Sequence, residues 1–419
     1  MGHKTAFRPA DILIPKNADM TRWACVACDQ YTSDRDYWEK ASEFVGDAPS
    51  ALRLILPEVY LNDKDVGERI ENTHKKMEEY LSRDMFTEYR DSFIYVRRTD
   101  SVGKVREGIV GMIDLEEYDY SKGSTTPVRA TEATVPERIP PRLKIRNGAP
   151  LELPHIMILI DDPEKTVIEP LAEKSLETVY DFDLYGKGGH IEGRLVDKQS
   201  ADRVEDALCA LGEKESFEKR TGLPGYPVLL YAMGDGNHSL ATAKAYYEQK
   251  KAEGTLKEND PARYALCEIV NLHSPALEFE AIHRIVTGME PDKLFNDYFA
   301  DPMGLGSADK VSPDMRITLA DAEGEKEYGI TTPTSNLAVG CVQPAIDEAV
   351  KDGAEVDYIH GREVVTELAK KGGTGIILPD MPKSALFPAV MMRGSLPRKT
   401  FSMGHADDKR YYVEARRIT

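Results

Sequence analysis

Residues 226–247 read YPVLLYAMGDGNHSLATAKAYY: an apolar run, the turn Gly234-Asp235-Gly236-Asn237-His238-Ser239, and then a helix-forming stretch. The run predicts a buried strand and the stretch after the turn predicts a helix. Gly234 and Gly236 permit backbone conformations that other residues resist. A helix that starts here presents unpaired N–H groups, a natural seat for a phosphate or carboxylate. Asp235 and His238 stand at the mouth of that seat, Asp235 as metal ligand or proton acceptor. Gly234, Gly236, Asn237 and Ser239 are the candidate phosphate contacts. A plain helix cap by Asp235 or Ser239 would explain one polar residue, not Asp, Asn, His and Ser together. No Lys of the Walker type accompanies the turn.

Working outward, strand-like and helix-like segments alternate through 419 residues, which predicts an α/β (α+β) fold with mixed sheets and flanking helices. A chain of this length is expected to divide, here into 1–125, 126–290 and 291–419. Residues 66–81 have amphipathic helical spacing. Residues 92–96 and 108–113 predict strands paired through a turn at 100–103. Residues 120–150, rich in Pro, Gly, Thr and Arg, read as loop. Strands are expected at 156–160, 264–272, 277–286 and 411–415, with helices around Val204, Leu208 and Leu211 and over 361–371.

Composition excludes several function classes. With 54 basic and 72 acidic residues the net charge is −18, which argues against non-specific nucleic-acid binding. No apolar run is long enough to span a membrane, and the first residues lack the apolar core of a signal peptide. Gly2 is not followed by a myristoylation pattern. A cytoplasmic setting is expected. Five cysteines make no disulfide framework. Cys25 and Cys28 form one C-x-x-C without the second pair a structural zinc site needs, and read as two partly buried thiols.

A second constellation begins at Arg129-Ala130-Thr131-Glu132-Ala133-Thr134 and continues through Arg138, Arg142, Lys144 and Arg146. Pro136, Pro140 and Pro141 stiffen it, and guanidinium groups suit bidentate phosphate contacts. Arg129, Thr134, Arg138 and Arg142 are the candidate contacts, with Glu132 as general base or metal ligand. The glycine-rich stretch 185–190 reads as a hairpin loop. His283 and Arg284, polar residues inside an apolar strand, suggest a site wall. Arg398 and Lys399 precede a small-residue turn ending at His405 and could reach an anion. No G-x-S-x-G, H-E-x-x-H or G-x-G-x-x-G motif is present.

Together, WACVACDQYTSDRDY at 23–37, residues 129–134, GDGNHSLATA at 234–243, Ile282-His283-Arg284 and LPRKTFSMG at 396–404 resemble a prokaryotic family of unknown function labelled SpoOJ/ParB-like. Where that family reads A-D-G-H-H-R and H-E-R-T, this chain has G-D-G-N-H-S and T-E-A-T. Ser239 thus replaces an arginine. The resemblance implies a ParB/sulfiredoxin-like core with large additions, in a superfamily that includes CTP-hydrolysing partition proteins, sulfiredoxin and free-serine kinases. It places Asp235, Gly236 and His238 at nucleotide phosphates and makes Glu132 the candidate base.

The expected function is therefore a Mg²⁺-dependent phosphotransferase (a small-molecule kinase) or NTPase. It would bind ATP, ADP or CTP as substrate, use Asp235 and Glu132 at the metal, and act on a small polar molecule. A DNA-associated partition or regulatory factor is the alternative, with a non-catalytic ligand sensor as a third. The partner expected is a small anion or nucleotide, and the sequence leaves a homodimer open.

Overall fold

Residues Met157–Ile160 are buried throughout and set the middle of a ten-stranded sheet. The computed structural model describes residues 5–404 and 406–419, so Gly2 and His405 lie outside the described residues. The chain forms two compact units. The first runs to Leu277 and resumes at Gly404, and the second is Glu278–Met403. The three-region division stays a proposal about independently folding domains.

In the first unit the elements are β1 (Cys25–Val26), α1 (Val66–Ser82), β2 (Ile94–Thr99), β3 (Val105–Asp114), β4 (Tyr118–Asp119), β5 (Val128–Arg129), α2 (Ile139–Arg146), β6 (Met157–Ile160), β7 (Glu177–Asp183), β8 (His190–Leu195), α3 (Lys198–Gly212), β9 (Tyr231–Asp235), α4 (Asn237–Ala252) and β10 (Tyr264–Asn271). The sheet order is β7-β8-β2-β3-β10-β6-β9-β5-β4, with Phe7–Arg8 also paired to β3. Pairing is mixed: β10 runs parallel to β6, β6 antiparallel to β9, and β9 parallel to β5. Strands in the sheet centre read as continuous apolar runs because both faces are covered. Leu159 and Ile269, both fully buried, are examples. Truncating either to Ala would cost about 2–5 kcal/mol.

The mixed α/β class, the amphipathic helix α1, the β2–β3 hairpin and the β9–turn–α4 unit all form where the sequence pattern puts them. The stretch expected as loop between 120 and 150 differs. It contains β5 and the helix α2, because Pro140 and Pro141 stand in the first turn of α2, where the missing N–H has no intrahelical partner to lose. The glycine-rich stretch joins β7 and β8 as an antiparallel hairpin.

The second unit has its own seven-stranded sheet. It includes β11 (Phe279–Thr287), β12 (Arg316–Ala320), β13 (Glu325–Ile330), α5 (Ala338–Lys351), β14 (Glu355–His360), α6 (Arg362–Lys370), β15 (Thr374–Ile377) and β16 (Phe401–Met403). The order β13-β12-β15-β11-β14 is antiparallel throughout, with β16 on β11. The chain then returns to the first unit as β17 (Tyr411–Tyr412), which pairs with β1. Arg410 fixes this return. It is buried and donates to Glu268 Oε2 at 2.7 Å, to Glu414 Oε2 at 2.8 Å and to the Pro154 carbonyl at 2.8 Å.

Candidate functional site

Strand β9 delivers the turn, and a bulge aims it. Met157 of β6 faces Asp235 while Ile158 faces Met233, so Gly234 is the extra residue. Bulges of this kind redirect a side chain at a strand end. Gly236 follows with φ +80°, and a Cβ there would stand 3.1 Å from the Ile156 Cα. Only glycine takes that conformation without strain. It occupies the N-cap of α4 with no side-chain cap, so the first N–H groups of the helix keep their capacity for an anion.

The second constellation lies alongside. Tyr231 pairs with Val128 and Ala232 with Arg129. The Thr131 hydroxyl donates to the Met233 carbonyl at 2.8 Å, and the Val135 N–H donates to His238 Nε2 at 3.4 Å. Glu132, half-buried, lies in the stretch between these two contacts. Because Nε2 accepts from a backbone N–H, neutral His238 carries its proton on Nδ1. Burial, and then Arg142 and Arg138, push the His238 pKa down to about 4.

Asp235 accepts from the Gly236 N–H at 2.8 Å and pairs with Lys409 Nζ at 3.3 Å. Burial works against its charge, but Lys409, His155 and that N–H outweigh it and hold the carboxyl below its usual range. Ser239 does not stand free in the turn: its Oγ is 3.0 Å from His155 Nε2. His155 is 5% exposed, with Nδ1 3.0 Å from the Tyr412 hydroxyl and Nε2 3.7 Å from Asp29 Oδ2. The Cys28 N–H also donates to the Tyr412 oxygen, at 3.1 Å. Cys28, His155, Ser239 and Tyr412 line one end of a cavity of about 150 Å³.

Among the described residues, the buried polar atoms without a hydrogen-bond partner at this place include Thr134 Oγ1, Asn237 Oδ1 and Asp29 Oδ1. Buried polar groups are nearly always paired, so these atoms mark where a bound molecule or water completes the structure. Among the described residues no group of three or more His, Cys, Asp or Glu is arranged to hold a metal. The thiols of Cys25 and Cys28 are raised by burial, Cys28 to about 11, so both stay protonated and neither offers a thiolate.

The remaining candidates are placed differently. Arg129 is buried and donates to the carbonyls of Thr126, Pro227 and Val228, so its guanidinium is spent on holding β5 to the β9 approach. Arg142 pairs with Glu58, and Arg138 is exposed. His283, Arg284, Arg398 and Lys399 belong to the second unit. Arg284 is fully buried there and donates Nε to Gln343 Oε1 at 3.1 Å, Nη2 to the Arg398 carbonyl at 3.2 Å, and Nη1 to the Ile282 carbonyl. Sequence reasoning missed His155, Tyr412 and Lys409. His155 carried the one available signal, an ionisable residue directly before a run of pure core.

A family model described as "Protein of unknown function (DUF1015)" matches residues 7–354. No ParB or SpoOJ family matches, which overturns the SpoOJ/ParB-like resemblance and the partition-factor reading that went with it. A strand, a glycine turn and a helix start recur in unrelated proteins, so the D-G-x-H turn does not by itself establish a family. A comparison with curated proteins finds no match.

Among solved structures, a conserved hypothetical protein from Pyrococcus furiosus is similar at 12% identity and TM-score 0.35, over 70% of this chain and 90% of that one. A free serine kinase in complex with AMP is similar at 14% and 0.38, over 72% and 89%. C-terminally truncated SbnI from Staphylococcus aureus is similar at 10% and 0.37, over 70% and 82%. The neighbours thus include nucleotide-bound kinases, at a likeness that carries no argument about this chain's ligand. No described helix is long and apolar enough to cross a membrane.

Proposed function

The chain belongs to the DUF1015 family of unknown function, and from that premise we propose that it is a phosphate- or nucleotide-binding enzyme of the phosphoryl-transfer or NTP-hydrolysis type. One observation carries the reading: the first turn of α4 has no side-chain cap, while the Thr134 hydroxyl beside it, buried and without a hydrogen-bond partner, has a proton to donate to an anion. Cations border the same turn, with Lys409 on Asp235 and with Arg138 and Arg142 acting on His238. Phosphoryl transfer demands mainly positioning and charge neutralisation, and amides with flanking cations supply both.

The roles divide by protonation state. His238, neutral at pH 7, offers Nδ1–H to a phosphate oxygen without adding charge. Ionised Asp235 orients Lys409, and Glu132 is the base for the attacking hydroxyl or water. Among the described residues no group of three His, Cys, Asp or Glu could hold a metal alone, so Mg²⁺ belongs to the proposal only as an ion brought with the phosphates, with Asp235 or Glu132 as the carboxylate that would share it. It would neutralise charge on the phosphates. A cytoplasmic setting belongs to the same proposal.

Isothermal titration with ATP, ADP, AMP and CTP, with and without Mg²⁺, tests the reading. Micromolar binding that Asp235→Ala abolishes is expected. Silence across all four nucleotides, or affinity indifferent to Asp235→Ala, contradicts it.

A further inference from the structure

Away from the α4 turn, the first unit builds another cavity, of about 330 Å³, against helix α1. Arg69, Asn72, Thr73 and Lys76 line it, at the i, i+3, i+4 and i+7 spacing of one helix stripe. Further along α1 the same side carries Met77 and Tyr80, which are core. The stripe therefore turns from apolar to cationic and hydrogen-bonding where it meets the cavity, although Thr73 is only 6% exposed. Trp38 and Ser42 of the helix Arg35–Val45 supply another wall, with Arg53 and Tyr60 from the segment between the two helices. The rest of the lining is aliphatic: Leu52, Ile55, Leu56 and Pro57.

No Asp or Glu is among the lining residues. Carboxylates stand nearby, but cations share them. Asp63 takes Arg35 at 2.6 Å and Arg69 at 3.8 Å, Asp65 takes Arg69 at 3.0 Å, and Glu79 takes both Lys76 and Arg83. Arg53 is placed differently. Its Nη1 donates to Ser42 Oγ at 3.0 Å and its Nη2 to the Gly46 carbonyl at 3.1 Å. Both acceptors are neutral, so among the described residues no carboxylate pairs with this half-buried guanidinium. In a chain of net charge −18, a concave surface with three cations and no lining carboxylate concentrates a local field that favours an anion.

We propose that this cavity is a second anion site, and that its ligand is a small organic anion: a carboxylate or phosphate ester on a compact apolar body. The head group takes its donors from among Arg53, Lys76 and the Thr73 hydroxyl, while the body covers the aliphatic wall. A bare inorganic anion is a poorer occupant, because it leaves that wall wet. A neutral ligand of the same shape forgoes the attraction of Arg53, and a cationic one meets its repulsion. Asp235, His238 and Ser239 do not line this cavity. The site is thus separate from the α4 turn and stands whether or not the phosphoryl-transfer reading does.

Isothermal titration of the whole chain with phenyl phosphate, benzoate, inorganic phosphate, benzyl alcohol and benzylamine tests this. Both aromatic anions should bind, phenyl phosphate about tenfold more tightly than inorganic phosphate because its ring is buried. Arg53→Met should weaken both about tenfold, the loss of one charge-assisted contact. Lys76→Met leaves the Arg53 bonds in place and should weaken them too, which keeps the test open should Arg53→Met not fold. Asp235→Ala should leave benzoate affinity unchanged. Benzyl alcohol or benzylamine binding as tightly as benzoate overturns the inference, as does equal affinity for phenyl phosphate and inorganic phosphate. Loss of both aromatic anions in Asp235→Ala but not in Arg53→Met puts the anion at the α4 turn and also overturns it. Aromatic anions that bind while every nucleotide stays silent leave this site standing and remove only the phosphoryl-transfer reading.

Discussion

His238 in the first unit and His283 in the second are both held near pKa 4 by burial, yet their surroundings are opposite. His283 accepts the Leu378 N–H at 3.3 Å, and its neighbour Arg284 places its donors on Gln343 and two carbonyls. That polar pair is completed inside its own unit. Around His238 the helix start is uncapped and buried oxygens lack partners. A pKa lowered by burial therefore accompanies two roles, packing in one case and a proposed binding surface in the other. Hydrogen-bond satisfaction separates them, where motif and pKa do not.

Substitutions can break this comparison, the largest effect first. Arg284→Met should destabilise the second unit by about 3 kcal/mol or more, since several buried acceptors lose their donor at once. Hydrogen exchange followed by mass spectrometry should show faster exchange in peptides from 278–403. Normal protection there would mean that Arg284 is not a packing residue.

Gly236→Ala should cost about 1–2 kcal/mol from the left-handed backbone, with added crowding against Ile156. It should lower the melting temperature and weaken nucleotide binding together. A neutral effect on both would place the strain elsewhere.

Lys409→Met should weaken nucleotide binding about tenfold, the worth of one charge-assisted contact. Arg398→Met, an exposed cation of the second unit, should leave affinity unchanged. Equal losses in titration calorimetry would dissolve the distinction between the two regions.

The smallest effect is electrostatic. Arg142→Gln should raise the His238 pKa, because a repelling cation is removed, and should leave His283 where it is. Imidazole NMR titration reads both. The sign for stability follows from the depression: the unfolded histidine binds its proton first as pH falls, so both sites lose stability between about pH 6.5 and pH 4. Thermal melts across that window should decline, less steeply in His238→Gln.

Much of this was legible in the sequence because its signals are local. A continuous apolar run before a glycine turn predicts β9 and α4 whatever the rest of the chain does. The helix α2 was hidden because Pro140 and Pro141 read as breakers unless the helix is known to start at Ile139. His155, Lys409 and Tyr412 were out of reach for another reason. Their place depends on β17 returning to β1 and on Arg410 gripping Glu268, Glu414 and Pro154, contacts that no spacing announces. Arg129 shows the converse: a guanidinium in a basic stretch suggests phosphate, and three carbonyls claim it instead.

The central claim is that the start of α4 binds phosphate. It is tested most directly by amide chemical shifts in a deuterated, nitrogen-15-labelled sample titrated with ADP. Saturable shifts centred on the amides of Gly236, Asn237, His238 and Ser239, with Thr134 moving in step, are the predicted result. Shifts that centre elsewhere, or none at millimolar ADP, would contradict it.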